Sequence, residues 1–228
     1  MTFEELQKTT GITFKDPELL KLAFIHRSHL NEAKHIHTSN ERLEFLGDSV
    51  LSLLTSHFLY RTYPEYPEGT LTNIRSSLVK TTSLSDISKS LGLGDLLFLS
   101  HGEESSGGRT NQSLLADVFE AFLGAIYLDR GIETAEQFLA KYLFPNTAGI
   151  IATKSYIDYK SLLQELIQQD SRVSPTYHVV KSEGPDHARM FWVEAIAEGR
   201  VLGSGSGKSK QEAEQGAALA ALEKLGKI

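Results

Sequence analysis

Apolar residues recur at three- and four-residue spacing in the runs 17–25, 40–60, 70–79, 83–91, 113–128 and 133–143, and past about residue 150 the period changes. The first spacing places apolar side chains on one stripe of an α-helix, so the first part of the chain must fold as helices packed on one another. Phe144-Pro145-Asn146 reads as a helix stop, and the small, polar stretch from Thr147 to Ser155 as a linker. Beyond it comes one more helical run (Tyr159, Leu162, Leu163, Leu166, Ile167). Alternating segments follow around 176–182, 189–197 and 200–205, then an Ala-rich helix from about 209 to 225. Alternation suits strands with one buried face. The expected fold is an all-α N-terminal domain over 1–150 and a small α+β domain, in the order α-β-β-β-α, over 153–228. Glu198-Gly199 reads as a hairpin turn, and Ala213, Ala217, Ala220 and Ala221 give the last helix a low face suited to a sheet.

The chemistry of the first domain lies in its carboxylates. At 100° per residue, Glu41, Glu44 and Asp48 fall within about 60° of one another on a helix, with Leu43, Leu46, Val50, Leu53 and Leu54 roughly opposite. A second helix repeats the device, pairing Asp117 with Glu120 and setting Leu115, Phe119, Phe122 and Ile126 against them. Gly124 lies one turn after Glu120 on the acidic side, where a missing side chain permits close approach of another helix or of substrate. Crowded carboxylates repel and raise one another's pKa unless a cation neutralises them. Two plainer readings stand beside the metal site: Glu41 as capping-box partner of Thr38, and Asp117 with Glu120 as a solvated helix face.

Composition narrows the choice of ion. The chain has no cysteine, so a bound metal must be held by oxygen or imidazole, and carboxylates favour Mg2+ or Mn2+. Neither Glu44 nor Glu120 is followed by His at the third position, as a di-iron bundle would require. The formal charge of −6 is unevenly spread: residues 1–152 carry 13 Lys and Arg against 19 Asp and Glu, while residues 153–228 carry ten of each. The acid excess thus belongs to the domain holding the carboxylate helices. No stretch approaches the roughly 20 apolar residues of a membrane span, and the N-terminus lacks a basic-then-apolar signal pattern, so no membrane partner and a cytoplasmic location are expected.

The run Asn40-Glu41-Arg42-Leu43-Glu44-Phe45-Leu46-Gly47-Asp48-Ser49-Val50 closely resembles the signature of bacterial ribonuclease III. His26-Arg27-Ser28, Pro67-Glu68-Gly69, Ser106-Gly107-Gly108-Arg109, and Ser113-Leu114-Leu115-Ala116-Asp117 with Glu120-Ala121 agree in order with that family. The resemblance implies an endonuclease domain in which Glu44, Asp117 and Glu120 hold catalytic Mg2+, with Mn2+ able to substitute. Asp48 would be a further ligand or position the water, and Glu41 and Glu68 would be outer members of the cleft. It also implies a homodimer that cuts both strands of double-stranded RNA, leaving 5′-phosphate and 3′-hydroxyl ends with short 3′ overhangs, in ribosomal and messenger RNA processing. A catalytically silent RNA-binding or ribosome-associated protein is the rival reading, and the complete set of six acids argues against it.

The second domain resembles a double-stranded-RNA-binding domain. Gln164 and Glu165 in its first helix and His187 in Gly184-Pro185-Asp186-His187 would meet successive minor grooves. Lys208, Ser209 and Lys210, opening the last helix, would meet the phosphates between them. Gln211 and Glu214 depart from the resemblance, standing where many relatives carry Lys, which implies modest affinity and a shallow salt dependence.

Overall fold

The computed structural model describes residues 1–33, 35–170, 173–185 and 188–228. They form two compact units, Met1–Tyr156 and Ile157–Ile228. The first contains helices α1 (Phe3–Thr10), α2 (Pro17–Leu22), α3 (Glu41–Thr62), α4 (Glu68–Leu78), α5 (Thr81–Ser90), α6 (His101–Ser105), α7 (Gln112–Arg130), α8 (Ile132–Tyr142) and α9 (Asn146–Ala152). Three of these, α1, α6 and α9, lie outside the periodic runs. Helix α1 is set by its ends: Thr2 and Glu5 form a reciprocal capping box, and Gly11 closes it at φ 77°. Helix α9 occupies the stretch read as linker, and the boundary expected at 150 falls inside it. Its short apolar stripe is too weak to announce a helix, yet Thr147 is buried and Ile150 packs on the core.

Helix α7 is the axis of this unit. Ala116, Val118, Phe119, Ala121, Phe122, Leu123, Ala125 and Ile126 are all buried, so neighbours cover it on nearly every side. Phe122 meets Phe14, Phe24 and Phe138 at ring-centroid distances of 5.9, 5.8 and 5.5 Å. Helix α3 packs along α7 through Leu43, Val50, Leu51 and Leu54. The apolar face read on α3 thus belongs mainly to the core. Leu53 is the exception at 59 % exposed, lying with Phe45 (78 %) and Tyr60 (74 %) on a side of α3 that no described residue of its own unit covers.

The second unit runs α10 (Tyr159–Asp170), β1 (Thr176–Glu183), β2 (Met190–Ala197), β3 (Arg200–Gly207) and α11 (Lys210–Lys224). The antiparallel sheet has the order β1-β2-β3. Val193 is paired with Val179 on one side and Gly205 on the other, and a bulge lies between Val179 and Lys181. Ala197 opposite Arg200 closes the hairpin, and Glu198 and Gly199 both have positive φ (50° and 72°), as a two-residue primed turn requires. Among the described residues, no helix is long and apolar enough to cross a membrane.

Helix α11 lies unusually close to β3. A Cβ placed on Gly203 would come within 2.4 Å of the Ala221 nitrogen, and one on Gly205 within 2.2 Å of the Ala217 nitrogen. Ala213, Ala217, Ala218 and Ala221 are buried there; Ala220, expected on this face, is only half-buried and Ala218 takes its place. Small residues on both partners are therefore one packing device. Gly205→Val is expected to destabilise the second unit by about 3 kcal/mol through overpacking. Amide hydrogen exchange should quicken over β1–β3 and α11 but not over α3 and α7; unchanged protection of the sheet would contradict this.

Candidate active site and duplex-binding surface

The acidic residues are brought together by two glycines. A Cβ on Gly47 of α3 would lie 1.8 Å from the Glu120 carbonyl oxygen, and one on Gly124 of α7 would lie 2.3 Å from the Leu43 carbonyl oxygen. The helices thus touch backbone to backbone one turn from Glu44 and at Glu120 itself. Side chains that would stand on separate surfaces are forced to share one rim.

A cleft of about 380 Å3 opens beside this crossing, lined by His26, Arg27, Asn40, Glu41, Glu44, Leu97, Leu114 and Asp117. Asp48 and Glu120 are not among the lining residues, but Asp48 acts electrostatically on Glu44, and Glu44 on Glu120. Burial pushes the Glu44 carboxyl up, and Asp117, Glu41 and Asp48 push it further. Glu120 is driven up to about 8, first by burial and then by Asp48, Glu44 and Asp117. Burial also raises Asp117, with His26 acting in the opposite sense. Among the described residues, no Lys or Arg forms an ion pair with Glu44, Asp48, Asp117 or Glu120. Nor are three acid or imidazole groups among them gathered closely enough to form a finished metal cage.

The approach to the cleft is tightly pinned. Asn40, buried, donates its side-chain amide to the Ala23 carbonyl and its backbone N–H to that of Ile25, seating the start of α3. A parallel bridge joins Ile25 to Phe98. The capping box with Thr38 does not form: Asn40 stands at the helix start, and Glu41 instead accepts from the Ser39 hydroxyl at 2.7 Å and lies 3.8 Å from Arg27. Asn111 caps α7 by accepting from the Ser113 and Leu114 amides. Arg109 has a scaffold role, donating to the carbonyls of Gly94, Asp95 and Leu97 and to Glu104.

Glu68 is not brought to this cleft within the chain. It opens α4, accepts from the Thr72 hydroxyl, and lines a separate hollow of about 730 Å3 with Tyr60, Tyr63, Tyr66, Leu71 and Arg75. Sequence order offers no means of separating it from Glu41, because the loop between α3 and α4 directs the α4 start to the far end of α3.

In the second unit Gln164 and Glu165 are exposed on α10, as are Lys208, Ser209 and Lys210 at the start of α11. Ser209 caps α11 by accepting from the Glu212 amide, while the Glu212 carboxylate accepts from the Lys208 amide at 2.7 Å. The amide just ahead of the helix cap is therefore engaged by a carboxylate. Glu214 is paired with Lys160, 2.5 Å away, which removes its charge from the duplex-facing balance. His187 lies outside the described residues.

Comparison with known proteins agrees with this geometry. The Ribonuclease-III-like family model matches residues 16–147, and the double-stranded RNA binding motif matches residues 159–225. Proteins named Ribonuclease 3 are similar along nearly the whole chain: that of Treponema denticola is 46% identical over 97% of this chain and 90% of its own length. One from Bacillus cereus is 48% identical over 98% and 91%. Among solved structures, the nuclease domain of Campylobacter jejuni ribonuclease III is 37% identical, with a TM-score of 0.59 over 63% of this chain and 99% of that domain. Family match, helical nuclease unit and appended binding motif together place the chain in the ribonuclease III family, as an endoribonuclease that acts on double-stranded RNA.

Proposed function

We propose that this endoribonuclease hydrolyses the phosphodiester bond at the α3–α7 cleft, with Glu44, Asp117 and Glu120 holding Mg2+ or, in its place, Mn2+. The carrying observation is the convergence of half-buried acids from two helices that, among the described residues, form no ion pair with Lys or Arg. That donor set, all oxygen and rich in charge, fits a hard divalent cation. When bound, such an ion supplies an activated water and neutralises charge on the scissile phosphate. Asp48, more exposed than the three ligands, orients the water. Glu41, held by Ser39 and near Arg27, is an outer member of the cleft. Products with 5′-phosphate and 3′-hydroxyl ends and short 3′ overhangs are what the likeness to ribonuclease III implies for this reaction. Processing of ribosomal and messenger RNA in the cytoplasm is the corresponding role.

Cutting both strands calls for two clefts, and a two-fold dimer meets antiparallel strands equivalently. The uncovered side of α3 carries Phe45, Leu53 and Tyr60, and Tyr60 also borders the apolar hollow. Protruding and recessed apolar surface on one face suits self-association. Glu68 lines that hollow and is assigned to the assembled dimer and not to the cleft of its own chain. The Campylobacter structure is described as having a region involved in dimer formation, which supports the same assembly here.

The metal reading is tested by Glu120→Gln. Cleavage of long duplex RNA in Mg2+ should fall on the order of 100-fold or more, while a gel-shift assay returns wild-type duplex binding; parallel loss of both would contradict the division of labour. A pH effect follows from the same residue. The folded chain binds the Glu120 proton more tightly than the unfolded chain, so this stabilisation is complete below pH 4.5 and is lost as pH rises through about 8. In EDTA, melting temperature should therefore drop between pH 5 and 9, recover on adding Mg2+, and depend less on pH in Glu120→Gln. For the dimer, Phe45→Asp with Leu53→Asp should yield a folded monomer by sedimentation; a monomeric wild-type chain would refute the assembly.

A further inference from the structure

Arg27 is the one Lys or Arg among the described residues that line the acidic cleft. Its base is rigid. On one side, the His26 N–H donates to the Phe98 carbonyl at 3.1 Å, and the His26 ring caps the 3-10 turn Arg27–Asn31 by accepting from the Ser28 N–H. On the other, the Ser28 hydroxyl accepts from the Ser100 N–H at 3.0 Å. The arm, by contrast, is free to reach. The Arg27 side chain is 72 % exposed, and among the described residues its one ion pair is with Glu41, Nη1 to Oε1 at 3.8 Å, too long for a hydrogen bond. Glu41 is itself held through its other oxygen by the Ser39 hydroxyl, 2.7 Å away. So exposed a pair adds little stability. Its effect is to keep a positive charge at the cleft rim with the N–H donors unengaged.

We propose that Arg27 is a substrate-binding residue of the cleft, its guanidinium gripping a backbone phosphate that flanks the scissile one. An RNA duplex is a polyanion, and the acids that define the cleft repel its strands. A cation on the same rim that pairs with none of Glu44, Asp48, Asp117 or Glu120 offsets this repulsion without competing for those carboxylates. The planar fork of guanidinium N–H groups fits phosphate oxygens two at a time. Position decides which phosphate is held: Arg27 stands by Glu41, the outer acid, and so meets a linkage next to the one being cut. Glu41 keeps the guanidinium in place until then, and a phosphate that accepts two hydrogen bonds displaces a partner that accepts none. Such a contact positions the strand and carries no base sequence. The inference rests on the reading that cutting occurs at the α3–α7 cleft and adds to it a residue that holds the strand there.

The test uses the full chain and two long RNA duplexes of unrelated sequence. Steady-state cleavage is followed at fixed Mg2+ over a KCl series for wild type, Arg27→Gln and Arg27→Lys, with Glu120→Gln as control. Arg27→Gln should raise KM on the order of 10-fold on both duplexes, as loss of a charge-assisted pair of hydrogen bonds does. Its kcat should stay nearly unchanged, because the grip is equally present before and during cleavage. The slope of log KM against log salt should fall by about 1. Arg27→Lys should keep the wild-type slope, since the charge remains, and recover part of the KM. Unchanged KM and slope in Arg27→Gln overturn the proposal, as does a fall in kcat at unchanged KM or a loss confined to one duplex. A loss that follows a lowered melting temperature and is not relieved in Arg27→Lys marks a purely structural role and also overturns it. Cutting by Glu120→Gln at the wild-type rate would sink the cleft reading, and this inference with it; an inactive Glu120→Gln beside an unaffected Arg27→Gln removes this inference alone.

Discussion

Two helices that touch through glycine hold this nuclease unit's chemistry in place. Where α3 crosses α7, the closest atoms are backbone, because neither Gly47 nor Gly124 carries a side chain to keep the helices apart. Any larger residue would displace one helix by ångströms and part Glu44 from Asp117 and Glu120. Burial of α7 on nearly every side holds the crossing rigid. The apolar core therefore holds the acids together despite the cost that their burial and proximity place on ionising them.

That cost explains why the site is poised and incomplete at once. Glu120 is driven up to about 8 because its surroundings withdraw water and add negative charge, a state costly without a counter-ion. The scaffold around it is correspondingly over-determined: Asn40 pins α3, Asn111 caps α7, and Arg109 ties down three carbonyls of the loop near the cleft. The polar residues of the signature blocks thus divide into those that meet the cleft and those that hold it open.

The duplex-binding unit uses the same close-packing logic for another purpose. Gly203 and Gly205 let α11 lie on the sheet, and this fixes the exposed start of α11 and the exposed side of α10 on one rigid frame. Its electrostatics are restrained, since Glu212 engages the Lys208 amide ahead of the helix cap and Glu214 pairs with Lys160.

By itself the sequence determined the helical and alternating periods, the order of elements, the shared faces of Glu41, Glu44 and Asp48 and of Asp117 and Glu120, and the tight Glu198-Gly199 turn. These are local properties, readable because a residue's direction on a helix or strand follows from its neighbours in the chain. Helices α1 and α9 escape such reading, the first because it is defined by its caps and the second because its stripe is short. Only tertiary structure decided that the two acidic faces meet, that Glu68 lines a different hollow, and that Leu53 faces outward. Each of these depends on the path of the chain between distant segments, and no local period encodes it.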